Sequence, residues 1–510
     1  MNLLKFGELI QAEKMSLKNL IKRKLKDYKI PLNKPNTNAA AKLSEPKKVV
    51  IVGGGLAGLV AAMELAEKGF YVEIFERNSY WGGKLGSWTF EQNGKILRTT
   101  HGFHAFFHQY YNLLNWMEKH DIAKYLKPID DYKVMFSETE SIGFKGIDNT
   151  PGLNILDLRK KGVFPWYTFL NPFSIPFLSL LRYDPVKTFK HYDSMSYEEF
   201  ARRTMMPAKM KVVFNSFARA FFSEPHKMSM AELIKSFHFY FLSNDKGLIY
   251  RTLDDDFEYT FLVPIIDKLK NLGVLLHLNS EVSNFKKLEK GFEVEGKYFD
   301  YAIIASDIKG TKKLMEKSNG LEASDFAKVE AMKHSDNYAV YRIWTDRFES
   351  KDWPYFVITD KKRALDSITF YHKTEKESAK WSAENHGGIF ELHSYSLPID
   401  LVEEEEIKNA LLDEFYMYLP ELRGMKIVHD YFQLRNDFPA FHVGEYKKRV
   451  EVEAATEDMF FVGDWVKLNH PSMLMEAACT SAIEASNKIC IKEQVQETQL
   501  FTVSMKGLLA

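Results

Sequence analysis

VVIVGGGLAGLVAAMELAEKGFYVEIFERNSYWGGK, residues 49–84, decides the fold. Four apolar residues, Val49 to Val52, read as a buried strand of a parallel sheet. Gly53-Gly54-Gly55-Leu56-Ala57-Gly58 then turns the chain into a helical pattern that runs through Leu65 and stops at Gly69. A second strand, Tyr71 to Phe75, ends at Glu76. Strand, glycine turn, helix and strand, in that order, are the setting a dinucleotide-binding fingerprint requires. Gly53 makes the turn. A side chain at Gly55 would block a pyrophosphate, and Gly58 lets the helix lie close to the strand. Free N–H groups at the helix start, around Leu56 and Ala57, hold the pyrophosphate. Glu76, 18 residues past Gly58, is placed to accept both ribose hydroxyls. The glycines alone serve NAD or FAD.

At 510 residues the chain exceeds a typical single domain, so two or three structural units are expected. Apolar content of 45% and aromatic content of 14% fill a large core. The net charge is zero, which gives no support for nucleic-acid binding. It is unevenly placed: residues 1–48 hold twelve Lys/Arg and four Asp/Glu, a net of +8, leaving −8 on the rest. The two cysteines, Cys479 and Cys490, exclude a disulfide framework and a cysteine-rich metal site. They fall in one predicted helix, three turns apart, and read as small buried apolar residues. The N-terminus lacks a secretory signal pattern, so a cytoplasmic location is expected.

Two stretches suggest a membrane surface. Leu17, Leu20, Ile21, Leu25 and Tyr28 share one helical face, with Lys18, Lys22, Arg23, Lys24 and Lys26 mostly off it. Such a helix lies on an anionic bilayer or docks on the protein body. Pro31, Pro35 and the polar run Asn33 to Lys42 read as a linker after it. Val163 to Leu181 carries no charge for 19 residues, but Pro165, Pro172 and Pro176 break helix hydrogen bonding. It reads as an apolar loop or short helices, either buried or dipping into a bilayer, rather than a spanning helix.

The nucleotide fold is interrupted and resumed. Residues 272–305 offer short strands at Val274 to Leu278, Glu281 to Lys286, Phe292 to Glu295 and Tyr301 to Ala305. Met459 to Val462 is a late apolar strand, followed by Gly463-Asp464-Trp465 and a helix from about Met473. The expected class is α/β: a Rossmann-like dinucleotide-binding domain interleaved with an α+β substrate domain. The expected parts are a basic arm and linker (1–46), nucleotide segments (47–118, 262–310, 440–493), substrate segments (119–261, 311–439) and a tail (494–510). The substrate segments are aromatic-rich, and Tyr338 to Trp344 and Gly388 to Ser394 alternate like strands. A large apolar cavity against the cofactor is the natural inference, lined by HGFHAFF (101–107) and FHFYFL (237–242), with Phe103 and Phe106 expected to face the substrate.

The continuation Arg77-Asn78-Ser79-Tyr80-Trp81-Gly82-Gly83-Lys84 resembles the extended motif of the FAD-dependent amine oxidase and carotenoid (phytoene) desaturase superfamily. HGFHAFFHQYYNL (101–113) resembles the RGFHAFFRQYYNLR-like segment of isorenieratene synthases, FAD-dependent desaturase/methyltransferases that aromatise carotenoid β-rings. FHFYFLSNDKGL (237–248), FFVGDWV (460–466) and Met475-Glu476-Ala477-Ala478 resemble further segments of that family, and the likeness runs from about residue 47 to 490. His101 and His108 depart from arginines of the pattern, and Ala477 and Ala482 stand where amine oxidases usually have glycine.

The resemblance implies non-covalent FAD and makes the Rossmann-like domain an FAD-binding domain of the GR2 type. Its cradle would include Gly53, Gly55, Leu56, Ala57, Gly58, Glu76, Arg77, Gly82, Gly83 and Lys84. A backbone contact from Val282 to the adenine, Gly463 and Asp464 at the ribityl chain, and Met475 at a helix end facing the flavin ring would complete it. It also implies a lipophilic polyene substrate, a peripheral membrane association, and a quinone or oxygen as electron acceptor. Rival activities are a linear carotene desaturase or isomerase, a squalene-type desaturase, a flavin amine oxidase, or a flavin-binding subunit without turnover. His101 and His104 are the weak candidates for catalysis, because histidine titrates near neutrality. They could also form a two-histidine metal pair, but with no convincing third ligand beyond nearby His108, no metal is expected.

Overall fold

A computed structural model describes residues 29–129, 132–137, 141–147, 150, 153–162, 172–244, 246, 250–348 and 353–510. The fingerprint strand Lys48–Val52 (β1) is followed by Tyr71–Phe75 (β2), and the late strands are Leu275–His277 (β3), Tyr301–Ile304 (β4) and Met459–Phe461 (β5). They form one parallel sheet in the order β3-β2-β1-β4-β5, so three separated stretches of chain build it. Val49, Val50 and Ile51 are wholly buried, as a central parallel strand covered on both faces must be. Helix Leu56–Glu67 (α1) is apolar nearly all round because it lies between this sheet and a second helix, Leu474–Lys492 (α2). Cys479 and Cys490 are both buried in α2, as expected.

The strand expected at Glu281 to Lys286 begins only at Phe285. The Glu295 carboxylate accepts the N–H groups of Ser283 and Asn284 at 2.6 and 2.8 Å, which removes those donors from a strand ladder. Phe285–Lys287, Phe292–Val294 and Lys297–Phe299 instead make a small antiparallel sheet, the last two joined by a tight turn in which Glu295 and Gly296 both have positive φ.

The second unit is a seven-stranded sheet. Its order is Ile427–Arg435, Tyr338–Thr345, Ile389–Ser394, Ser367–Phe370, Phe356–Thr359, Tyr132–Met135 and Ile142–Gly143, with a single parallel pair, Phe356–Thr359 on Tyr132–Met135. The strands expected at Tyr338 to Trp344 and Gly388 to Ser394 are both present. Helices Ala208–Arg219 and Met230–Phe237, with the π-turn His238–Leu242, form the opposite wall of a chamber beneath it.

The stretch read as a linker is tied down. Ile30–Pro31 pairs with Phe501–Thr502, and Asn33 bonds the backbone of Thr498 and Leu500. The amphipathic pattern of residues 17–28 lies outside the described residues. So do residues 163–171 of the apolar run; Pro172–Leu181 is a 3₁₀ helix with Phe177 and Leu180 buried. Among the described residues no helix is long and apolar enough to cross a membrane.

Candidate active site: a glycine cradle opening into an aromatic chamber

The glycines explain the cradle. Gly53 has φ +113°, and a Cβ there would lie 2.7 Å from the Ala305 carbonyl carbon. At Gly58 a Cβ would lie 2.0 Å from the Gly53 oxygen, so α1 can approach β1 only without one. Gly55 is different: its nearest neighbours, Gly82 O and Gly83 Cα, would be 3.9 Å away. The space it leaves belongs to a cavity of about 580 Å³. Gly82, at φ +97°, donates no side chain but a backbone N–H to Gly54 O at 2.9 Å, closing the cradle's rim.

Gly53, Gly55, Leu56, Ala57, Glu76, Arg77, Gly82, Gly83, Lys84, Val282, Gly463, Asp464 and Met475 all line this cavity. Gly58 does not; it is the packing glycine. Glu76 is buried, with Oε2 accepting Gly54 N–H at 2.8 Å and Oε1 accepting Asn78 N–H at 2.8 Å. Each carboxylate oxygen accepts a second hydrogen bond, so both can still take a ribose hydroxyl. Arg77 is half exposed and pairs loosely with Asp307 at 3.7 Å. Val282 is buried on irregular backbone between β3 and the small sheet. The first turn of α2 places Leu474, Met475 and Ala478 on the cavity wall and so aims its positive end at the cavity.

A charged chain crosses from the cradle to the second unit. Lys84 Nζ donates to Asp464 Oδ2 at 2.6 Å and sits 4.2 Å over the Phe438 ring. Asp437, beside it, accepts from the Tyr338 hydroxyl at 2.6 Å, and its Oδ2 is 3.2 Å from His101 Nε2. Burial opposes ionisation of Asp437, but His101, Lys84 and the Tyr338 hydroxyl outweigh it and hold the carboxyl well below the usual range. Burial pushes His101 below the ordinary histidine value against the pull of Asp437. Asp437 and Tyr338 were not foreseen. They lie 336 and 237 residues from His101 in the chain, and no local pattern marks them.

His101 and His104 both line the cavity, with ring centroids 6.4 Å apart. His104 Nδ1 is 2.7 Å from Gly102 O, and burial, reinforced by His101, lowers its pKa to about 3. The loop between them rests on Glu391, which accepts Phe103 N–H at 3.0 Å. Glu391 is also bonded by His393 at 2.7 Å and by Arg342 at 2.7 Å. Burial raises its pKa, but Arg342 and His393 bring the carboxyl down to about 2. Among the described residues, one three-residue group has metal-like geometry, Glu64, Glu67 and His120, away from this cavity.

The chamber wall is aromatic. Phe103 stacks on Phe356 at 5.1 Å, Phe107 meets Tyr240 at 4.6 Å, and Phe217 meets Phe241 at 5.1 Å. Of the two segments expected to line it, HGFHAFF supplies Phe103 and Phe107 but not Phe106. Phe106 and Phe107 form a short strand, so their side chains point to opposite sides, and Phe106 is wholly buried in the core. From FHFYFL, Phe237, Tyr240 and Phe241 reach the cavity, while His238 turns away to bond Ser504 O at 2.7 Å.

A parallel sheet with this glycine cradle and a buried acid at the end of its second strand, joined to an aromatic chamber, is the architecture of a dinucleotide-dependent oxidoreductase. Residues 56–490 match the family model for flavin containing amine oxidoreductases, and the chain belongs to that family. It is an FAD-dependent oxidoreductase. The chain is 27% identical to a carotenoid phi-ring synthase of Chlorobaculum tepidum, over 94% of this chain and 93% of that one. It is 28% identical to one of Streptomyces griseus, over 90% of each chain. Among solved structures it resembles a putrescine oxidase with a TM-score of 0.62 at 15% identity, covering 88% of this chain and 99% of that one.

Proposed function

We propose that this enzyme desaturates an end ring of a carotenoid and, with migration of a methyl group, makes that ring aromatic. The observation that carries the reading is the single cavity shared by the glycine cradle and the aromatic chamber. Near-full-length similarity to two carotenoid phi-ring synthases supports the ring chemistry. FAD bound in the cradle supplies the hydride acceptor. Gly53, Gly55, Leu56 and Ala57 would hold its pyrophosphate, Glu76 its ribose, and Asp464 its ribityl chain. Neither buried cysteine lines the cavity, which supports non-covalent binding.

The chain's own part is positioning and dryness. Phe103, Phe107, Tyr240 and Phe356 press on a flat polyene and keep water from the reacting ring. Loss of hydride from a ring carbon leaves a cation, and aromatic faces stabilise it. A lipophilic substrate also fits a peripheral membrane site, served by the basic arm and the apolar run. Removing residues 1–28 should then weaken binding to anionic liposomes at low salt. Equal binding would overturn that role. The terminal electron acceptor is a quinone or oxygen.

A linear carotene desaturase or isomerase is the second reading. It is favoured by 26% identity to a zeta-carotene desaturase of Synechocystis over 55% of this chain and 62% of that one. Expression in cells that make lycopene, γ-carotene or β-carotene separates the two. An aromatic-ring product supports the proposal. Conversion of linear carotenes alone supports the second reading. Oxidation of an amine with no change in any carotene overturns both. Anaerobic mixing excludes a flavin subunit without turnover if a carotene bleaches the bound FAD.

A further inference from the structure

We propose that His104 is the proton acceptor that completes ring aromatisation. The inference rests on the ring-desaturation reading above and names a group that reading leaves open.

The tautomer follows from one hydrogen bond. A carbonyl oxygen only accepts, so the 2.7 Å contact between His104 Nδ1 and Gly102 O requires the hydrogen on Nδ1. In the neutral ring Nε2 then carries the lone pair. Nε2 makes no hydrogen bond to any described residue, and it is not among the sealed orphan nitrogens, unlike His238 Nδ1 and His470 Nε2. The side chain lines the cavity, so this lone pair is open to the chamber. The ring is fixed edge-on to Phe257 at 5.5 Å.

The position suits the last step. His104 lies one loop from His101, whose partner Asp437 adjoins Lys84 of the cradle, and two residues from the glycine that rests on Glu391 and His393. It therefore stands where the cradle meets the chamber. The charged groups that act on it are His101 and His393, which oppose protonation, and Glu391, which favours it.

The step balances as follows. A β-ring must lose four hydrogens to become aromatic, so one dehydrogenation, with the flavin reoxidised by its electron acceptor, comes first. In the second oxidation a C–H bond of the resulting ring diene gives its hydrogen and both electrons to FAD, leaving a ring cation. A methyl group moves to the neighbouring carbon with its bonding pair. A second ring C–H bond then breaks, its electron pair becomes ring π-bond, and the proton passes to His104 Nε2. Glu391, ionised behind the loop, steadies the imidazolium, which releases the proton to water as product leaves. A weak base is enough because a ring cation is a very strong acid. Low basicity is also useful, because the site stays unprotonated throughout the neutral range.

The test uses the holoenzyme and a cyclic carotene. Wild type must bleach its FAD anaerobically and, once an electron acceptor is added to reoxidise the flavin for the second oxidation, give aromatic product; if it does neither, the ring-desaturation reading itself has failed. His104→Gln should keep its FAD and still bleach it, while aromatic product falls by about 10²–10⁴-fold, the usual worth of a positioned base. Aromatic product at the wild-type rate, or loss of bleaching with FAD retained, overturns the assignment. If His104→Gln fails to hold FAD, His104→Ala with added imidazole decides: restored product supports the role and no restoration refutes it. A readout independent of turnover is the ¹⁵N spectrum of His104 in the cofactor-free protein at neutral pH. A neutral ring with hydrogen on Nδ1 is expected, and hydrogen on Nε2 would refute the proposal.

Discussion

Gly55 and Gly58, three residues apart, should fail in opposite ways when alanine replaces them. Gly58→Ala puts a carbon 2.0 Å from the Gly53 backbone oxygen. Non-bonded contact is comfortable only near 3.5 Å, so α1 and β1 must separate by about 1 Å or more. The obstructing atom is backbone and cannot swing aside. Overpacking of this kind costs roughly 1–3 kcal/mol, and the upper end applies here. Gly55→Ala adds a carbon whose nearest neighbours are 3.9 Å away, at a backbone φ of −74° that alanine accepts. It should leave the apo-protein's stability within about 0.5 kcal/mol of wild type. Its carbon would, however, stand in the space proposed for the pyrophosphate. Displacing even one charge-assisted hydrogen bond, about 1.5–3 kcal/mol, lowers FAD affinity by roughly one to two decades. Thermal melts of the apo-proteins and fluorescence titration with FAD measure both effects. Gly58→Ala should lower the apo melting temperature by several degrees, and Gly55→Ala should not. A Gly55→Ala protein that binds FAD like wild type, or melts lower than Gly58→Ala, would refute the division of labour between these glycines.

Glu76→Ala should weaken FAD binding by about one to two decades, through loss of a charge-assisted acceptor worth roughly 1.5–3 kcal/mol; unchanged affinity in a folded variant would give Glu76 another role. Phe103→Asp should retain FAD and lose carotene turnover, because an unpaired carboxylate in the chamber is costly, whereas Phe106→Asp should fail to fold, since Phe106 is wholly buried in the core; pigment analysis and the flavin absorbance distinguish them. Acid should destabilise the fold. Burial lowers His238, His372 and His470 to about 4 from an unfolded value near 6.5, so the unfolded chain alone takes up their protons as pH falls through that window. Glu375 and Glu476, raised by burial to about 8, act in the opposite sense, losing stability as pH rises from about 4.5 to 8. His101, His104, His120, His429 and His442 are lowered as well, and Asp193, Asp256, Glu258, Glu377 and Glu484 raised, so the histidines only narrowly outnumber the carboxyls and urea melts should show a shallow fall in stability between pH 6.5 and 5; a rise in stability over that range would contradict the burial of these rings.

The nucleotide fold was readable because its information is local. Val49 to Val52, the glycine turn and Glu76 sit within one βαβ stretch, and the later returns announce themselves as short apolar strands ending in Ala305 and Gly463. Thirteen of the fourteen cradle residues named from sequence reach one cavity, and the fourteenth, Gly58, serves packing. What was not readable depends on distant partners. The Glu281 to Lys286 strand failed because Glu295, a side chain from the next strand's end, captured its backbone donors. Phe106 was misplaced because a two-residue strand has too little length to reveal which side faces inward. The Arg342–Glu391 pair looks in the sequence like two ordinary charged residues, 49 apart, on strands patterned for water. Both are buried, because the cluster closes on itself with Thr100, His393 and the Tyr371 ring.

The charged residues are what make an otherwise apolar cavity specific. Buried charges are costly unless paired, so their positions are constrained more tightly than those of the aromatic wall. Lys84 comes from the first nucleotide stretch, Asp464 from the last, Asp437 from the end of the second unit, and Tyr338 from its sheet. Satisfying Asp437 through Tyr338 and His101 therefore fixes the sheet against the cradle. Glu391 does the same for the loop that carries Phe103 and His104, through the Phe103 N–H. Asp437 lines the cavity at its cradle end, and Glu391 stands behind the loop rather than in the chamber. The wall facing the substrate is left to aromatic rings, which accommodate a long hydrocarbon without demanding a polar partner, while the loop bearing both histidines is held at each end by a carboxylate. An oxidoreductase acting on a molecule with no polar handle must obtain its regiochemistry from such a frame, since the substrate offers nothing else to hold.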